Sequence, residues 1–167
     1  MVDTSECAHY IRRMEWVRPD GYLVSDDRER FDIGKIHRWL SEESYWAAGR
    51  SFDLVEKSIR GSITFGCFTP DSVQVGVTRL ITDGASLGIL SDVFVDKTCR
   101  GLGLGKFLVD VAVNHPEAVP LKRILLCTDD AHRLYEQFGF SLLLNPERWM
   151  EYEPKTLPQR RRDGNVD

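Results

Sequence analysis

The segment CRGLGLGK, residues 99–106, constrains the fold of this 167-residue chain more than any other stretch. Before it, SLGILSDVFVD is an apolar run of strand length. After it, Leu104, Phe107, Leu108, Val111 and Ala112 recur at the offsets of one helical face, up to a stop near His115-Pro116. Gly101, Gly103 and Gly105 sit at this junction and permit a tight bend or close backbone approach. The first turn of the helix presents unpaired N–H groups whose partial positive charge suits a phosphate, with Arg100 and Lys106 at the rim. GLGLGK lacks the four-residue interval of a Walker loop and the Ser or Thr after Lys. It also has the wrong glycine spacing for a dinucleotide fingerprint and follows several strands rather than the first. ATP and NAD therefore rank low, and a pyrophosphate-bearing cofactor of another kind suits these donors. Taken alone, the same glycines also suit a plain strand-to-helix connection.

The remaining pattern surrounds that turn with a mixed α/β layer structure. GYLVSDDRERF reads as a first short strand and its turn. Ile36, Trp39 and Leu40 mark one helix, and Phe52, Val55 and Ile59 a second, with a break near Gly49. SITFGCF and VQVGVTRLI, separated by Thr69-Pro70-Asp71-Ser72, predict a hairpin, and a second break at Asp83-Gly84 leads into SLGILSDVFVD. KRILLCT is a further strand, AHRLYEQF a short helix stopped by Gly139, and residues 140–144 and 149–152 are expected to form the last two sheet segments. The fold class expected is α/β, a central mixed, mostly antiparallel sheet with helices on both faces. Residues 1–153 are expected to form one domain. Residues 154–167, with few apolar anchors, are expected to be mobile or to lie on a partner.

Composition excludes several functions. The chain is 42% hydrophobic and 29% charged, enough to bury a core, and its net charge of −4 gives no global reason to bind nucleic acid or an anionic membrane. No stretch approaches the roughly 20 apolar residues that span a bilayer. The four cysteines form no CxxC pair and the four histidines show no close ligand spacing, so no metal is expected and a reducing, cytoplasmic setting fits. The QRRR run at 159–162 reads as solvated. Glu42, Glu43, Tyr45 and Trp46, between the early helices, suit either a cationic amine or a cap and core edge. His37 reads as a helix residue rather than a base.

Two motifs together carry a family resemblance. Arg100, Gly103 and Gly105 within RGLGLG, and AHRLYEQFGF at residues 131–140, stand in the order and spacing of the two signatures of the GCN5-related N-acetyltransferase (GNAT) superfamily, which the chain resembles. The resemblance implies acetyl-CoA as acetyl donor, with its pyrophosphate on Arg100, Gly101, Leu102, Gly103, Leu104, Gly105 and Lys106. It further implies that the backbone of Val93, Phe94 and Val95 holds the pantetheine arm and supplies an oxyanion donor. Thr128 stands where the family often has Asn, so some cofactor contacts are expected to differ. Tyr135 is the implied general acid, a phenol protonated at neutral pH that faces the departing thiolate. Asp92, beside the transfer centre, is a candidate base acting through water, with hydrogen bonding at a strand irregularity as the equal alternative. Asp83 is a second candidate, although Asp83-Gly84 also makes an ordinary turn. The expected reaction is direct transfer of acetyl to a primary amine, of a small molecule first and of a peptide or protein second. A non-catalytic acyl-CoA-binding module is the alternative, and the chain is expected to be a monomer or homodimer.

Overall fold

A computed structural model describes residues 13–152. The expected tail from residue 154 lies outside the described residues. Six strands form one sheet in sequence order: β1 (Glu15–Val17), β2 (Leu23–Ser25), β3 (Ile63–Phe68), β4 (Gln74–Thr82), β5 (Leu87–Val95) and β6 (Arg123–Leu125). The first five run antiparallel and β6 pairs parallel to β5, so the sheet is mixed and mostly antiparallel as expected. The helices are α1 (Ile33–Glu43), α2 (Phe52–Arg60), α3 (Leu104–Val113) and α4 (His132–Glu136).

The two faces of the sheet hold separate cores. On one, Leu104, Leu108, Val111 and Ala112 of α3 pack against Phe65, Leu80 and Leu90. On the other, Ile36, Trp39 and Leu40 of α1 and Val55 and Ile59 of α2 cover Phe68, Val77 and Phe94. Trp39 is fully buried and stacks on Phe94 with ring centroids 5.4 Å apart, a geometry worth about 1 kcal/mol beyond the area it buries. Side chains cap α1 and α2: Asp32 accepts from the Lys35 amide at 2.9 Å and Ser51 from the Leu54 amide at 3.4 Å.

Two expectations need correction. A strand the periodicity did not suggest, β1, precedes the expected first one; at three residues it is too short to carry a pattern. The expected sheet segments at 140–144 and 149–152 are not strands. Residues Pro146–Arg148 form a single 3-10 turn, Pro146 has no N–H to give a ladder, and Leu142, Leu144 and Met150 are 82%, 94% and 96% exposed, so no face buries them. Among the described residues no helix is long and apolar enough to cross a membrane.

Candidate active site

Two irregularities mark strand β5. β6 pairs with β5 only from Leu87 to Ile89, so β5 runs on through Leu90–Val95 with no strand on that side among the described residues. On its other side the ladder with β4 slips: Arg79 pairs with Ser91, but Val77 pairs with Phe94, which leaves an extra residue in β5. Asp92 takes up the slip at φ 54°, a left-handed conformation that Asp tolerates better than most residues. Leu90 and Phe94, which would share a face of a regular strand, consequently point into opposite cores. The bulge also turns Asp92 toward the α1–α2 side.

There Asp92 is a buried ion-pair hub. Its Oδ2 accepts from Arg79 Nε at 2.7 Å and from Arg50 Nη1 at 3.0 Å, and its side chain has no solvent exposure. Arg79, itself 6% exposed in its side chain, also donates through Nη1 to Ser58 O and to Ser62 Oγ. The other carboxylate oxygen, Oδ1, is buried with no hydrogen-bond partner. Neither arginine carried a sequence signal. Arg79 reads as an ordinary polar position in VQVGVTRLI, and Arg50 lies 42 residues from the carboxylate it reaches.

Beyond β5 the chain makes the glycine turn. Gly101 and Gly103 hold φ values of 82° and 74°, where a side chain is strained. Unlike α1 and α2, α3 begins with no side-chain cap, and its first backbone bond runs from the Phe107 amide to Gly103 O. The amides of Leu104, Gly105 and Lys106 are thus the ones a helix leaves unpaired. Leu104 contributes only backbone here, since its side chain is 1% exposed in the core. Arg100 donates from Nε to Val95 O at 3.2 Å with its guanidinium over the Phe94 ring, while Leu102 and Lys106 are exposed. Arg18, in the β1–β2 turn, donates to Leu102 O at 3.0 Å and holds the loop from outside, another residue that sequence reading missed. A row of free helix amides beside two cations fits a diphosphate, and the unpaired stretch of β5 fits an extended amide-bearing arm.

Tyr135 of α4 is 8% exposed, with its ring edge-on to Phe140 at 5.8 Å and its carbonyl accepting from the Phe140 amide. Burial, reinforced by Tyr45 and Asp130, pushes its phenol up to about 12. Tyr45, from the α1–α2 connection, accepts from the Asp129 amide at 3.1 Å and donates to Asp130 at 3.3 Å, so it ties that connection to the loop before α4. Thr128 Oγ1 accepts from the Ala131 amide at 3.1 Å and shapes the same loop. The connection therefore touches both banks of the opening, at Asp92 through Arg50 and at the α4 loop through Tyr45.

Asp83 is not brought to this centre. It sits in the β4–β5 turn, while the bulge is five residues along β5 from Leu87, about 17 Å at strand rise. Its carboxylate accepts from Ser86 Oγ and from the amides of Ala85, Ser86 and Leu87, which holds it far below the usual carboxylate range. Glu43 pairs with Lys97 at 3.1 Å, and His37 is a helix residue bonded at 3.1 Å to Arg50 O. No metal-holding group of His, Cys, Asp or Glu occurs among the described residues.

Comparison with known proteins agrees with this fold. Residues 60–142 match the family described as "Acetyltransferase (GNAT) domain". A Gibberella zeae protein that carries a provisional acetyltransferase name is 31% identical over 139 residues, 72% of this chain and 78% of that one. A crystal structure of a GNAT-family protein from Xanthomonas campestris pv. campestris superposes with a TM-score of 0.77 at 41% identity, over 81% of this chain and 95% of that one. A Mycobacterium tuberculosis protein solved in complex with CoA shares the fold at a TM-score of 0.60 and 20% identity, over 71% of this chain and 70% of that one.

Proposed function

The chain belongs to the GNAT family of acetyltransferases, whose acetyl donor is acetyl-CoA, and on that premise we propose that it transfers acetyl to a primary amine of a small molecule by direct attack. The observation that carries this reading is that β6 leaves β5 after Ile89, that the β4–β5 ladder bulges just beyond at Asp92, and that β5 then runs on toward the uncapped start of α3. Acetyl-CoA supplies an activated acyl group: the neutral amine nitrogen bonds to the carbonyl carbon, the C–S bond breaks, and its electron pair leaves on sulfur. The nitrogen's surplus proton leaves to water or a base.

The residues divide this work. The amides of Leu104, Gly105 and Lys106, with Arg100 and Lys106 at the rim, hold the diphosphate. The backbone of Val93, Phe94 and Val95 aligns the thioester arm, and an amide at Val93 or Phe94 donates to the carbonyl oxygen as negative charge builds there. Fixing both reactants at one point is itself worth several kcal/mol, roughly 7 to 11 in the best intramolecular cases. Tyr135 keeps its proton throughout the neutral range, because burial holds its phenol near 12. A thiolate, with a reference value of about 8.5, needs stabilisation more than a full proton. Tyr135 therefore acts as a hydrogen-bond donor to the departing sulfur. Asp92, with no exposed side-chain surface, acts as a positioning residue that orders the bulge through Arg79 and Arg50.

Incubation with acetyl-CoA and a broad panel of primary amines, with free thiol followed, tests the reading. Thiol release that depends on the amine, with the N-acetyl product seen by mass spectrometry, supports it. Release only with peptides moves the acceptor to proteins, and failure of every amine despite acetyl-CoA binding refutes amine transfer.

A further inference from the structure

Charge at the bulge restricts the acceptor further. Arg79 and Arg50 bring two positive charges to Asp92, which returns one, so the hub holds a net +1 in a region where Asp92 has no exposure. Arg79, 6% exposed in its side chain, gives Nε to Asp92 and Nη1 to Ser58 and Ser62. Arg50 gives only Nη1 to a partner among the described residues, and its side chain is 26% exposed. Its backbone is nevertheless pinned, by the Arg50 amide on Ala47 O at 3.1 Å and by His37 Nε2 on Arg50 O at 3.1 Å. The partly exposed guanidinium is thus held beside Asp92 with Nε and Nη2 to give.

We infer that Arg50 is an anchor for a carboxylate on the acceptor, so that the acceptor is an amine that also bears a carboxylate, as amino acids do. A partly exposed guanidinium fork with free donors matches a carboxylate. An isolated cationic amine, by contrast, meets a hub of its own sign. Asp129 and Asp130, on the loop that Tyr45 ties to the connection carrying Arg50, have no ion-pair partner among the described residues, and they draw the ammonium end in before it loses its proton. A neutral or purely cationic acceptor would leave the Arg50 fork unpaired on burial, which is the more costly arrangement. This inference rests on the reading of acetyl transfer to an amine, and specifies its substrate class.

The test uses matched pairs, each amino acid against the amine that lacks its carboxylate: phenylalanine against phenethylamine, and lysine against cadaverine. The carboxylated member of the best pair should have a kcat/KM at least about tenfold higher, and R50M should lower that ratio by roughly 10- to 100-fold, the worth of a hydrogen bond to a charged group. R50K, which retains the charge without the fork, should recover part of the ratio. Acetyl-CoA binding by calorimetry serves as the check that each variant is folded. A second arm needs no turnover: N-acetylphenylalanine should raise the melting temperature of the wild-type protein with CoA bound more than N-acetylphenethylamine does, and R50M should abolish the difference. Failure of all amines with the melting difference intact removes amine transfer but leaves the carboxylate anchor. Equal ratios and equal melting shifts for the two classes, or an R50M loss common to both, overturns it.

Discussion

Tyr135 and Asp83 show how much a side chain's surroundings decide its chemistry. The phenol is buried against Phe140, so it stays neutral where a free tyrosine would ionise. Because its folded value is raised, its stabilising contribution is complete below pH 10 and is lost as pH rises toward about 12. In urea unfolding, Tyr135→Phe should therefore lose less stability than wild type between pH 10 and 12. The same variant should lower kcat by about 100-fold or more with little change in KM for acetyl-CoA, as expected for a donor used only as the thiolate forms. Near-normal kcat in that variant would remove Tyr135 from the chemistry. Asp83 is the opposite case, a fully exposed carboxylate whose four hydrogen bonds hold its proton affinity down. Its contribution is present above the ordinary carboxylate value of 3.8 and is lost as pH falls below it. Asp83→Ala should accordingly lower the melting temperature at pH 7, with the gap to wild type closing under acid. A gap independent of pH would show that the turn does not depend on the carboxylate charge.

At the level of elements, β4, β5 and the α1–α2 connection meet at one buried charge cluster. Arg79→Met leaves the Asp92 carboxylate with a single guanidinium, and breaking a buried pair in this way costs about 3 to 5 kcal/mol, measurable as a lower denaturation midpoint. A loss under 1 kcal/mol would mean that the cluster is solvated rather than buried. The turn before α3 makes a different demand. A Cβ at Gly103 would lie 3.7 Å from Arg18 Nη1, an ordinary contact, so Gly103→Ala is penalised through its φ of 74° and not through a clash. The expected cost is about 1 to 2 kcal/mol, together with weaker acetyl-CoA binding, since the loop relaxes away from the conformation that aims the α3 amides. The glycines and the Tyr135 helix were legible because each is a local pattern, readable within ten residues. Arg50, Arg79 and Arg18 were not, because their partners lie 42, 13 and 84 residues away and only the tertiary fold brings them together. Asp92 fell between these cases: a hydrogen-bonded carboxylate at a strand irregularity was one of the two readings its sequence offered, and the two arginines that hold it were not readable.

For the molecule as a whole, the alternation of apolar residues in β3 to β5 and the stripes of α1 to α3 sufficed to give a two-faced layered architecture. The register slip that sends Leu90 and Phe94 into different cores left no trace in composition. Nor did the sequence reveal that residues 140–152 stay off the sheet, because Leu142, Leu143 and Leu144 look like strand residues until their exposure is known. The consequence of the architecture is a sheet that is continuous on the β1 side and, among the described residues, leaves β5 beyond Ile89 without a strand on the β6 side, with the uncapped start of α3 following β5 in the chain. Everything proposed for this chain depends on that parting accepting acetyl-CoA. Calorimetric titration of the folded wild-type chain with acetyl-CoA measures it most directly. One molecule bound per chain, with affinity that falls as salt is raised and falls again in Gly103→Ala, is the expected result; a folded chain that takes up no acetyl-CoA would contradict the account.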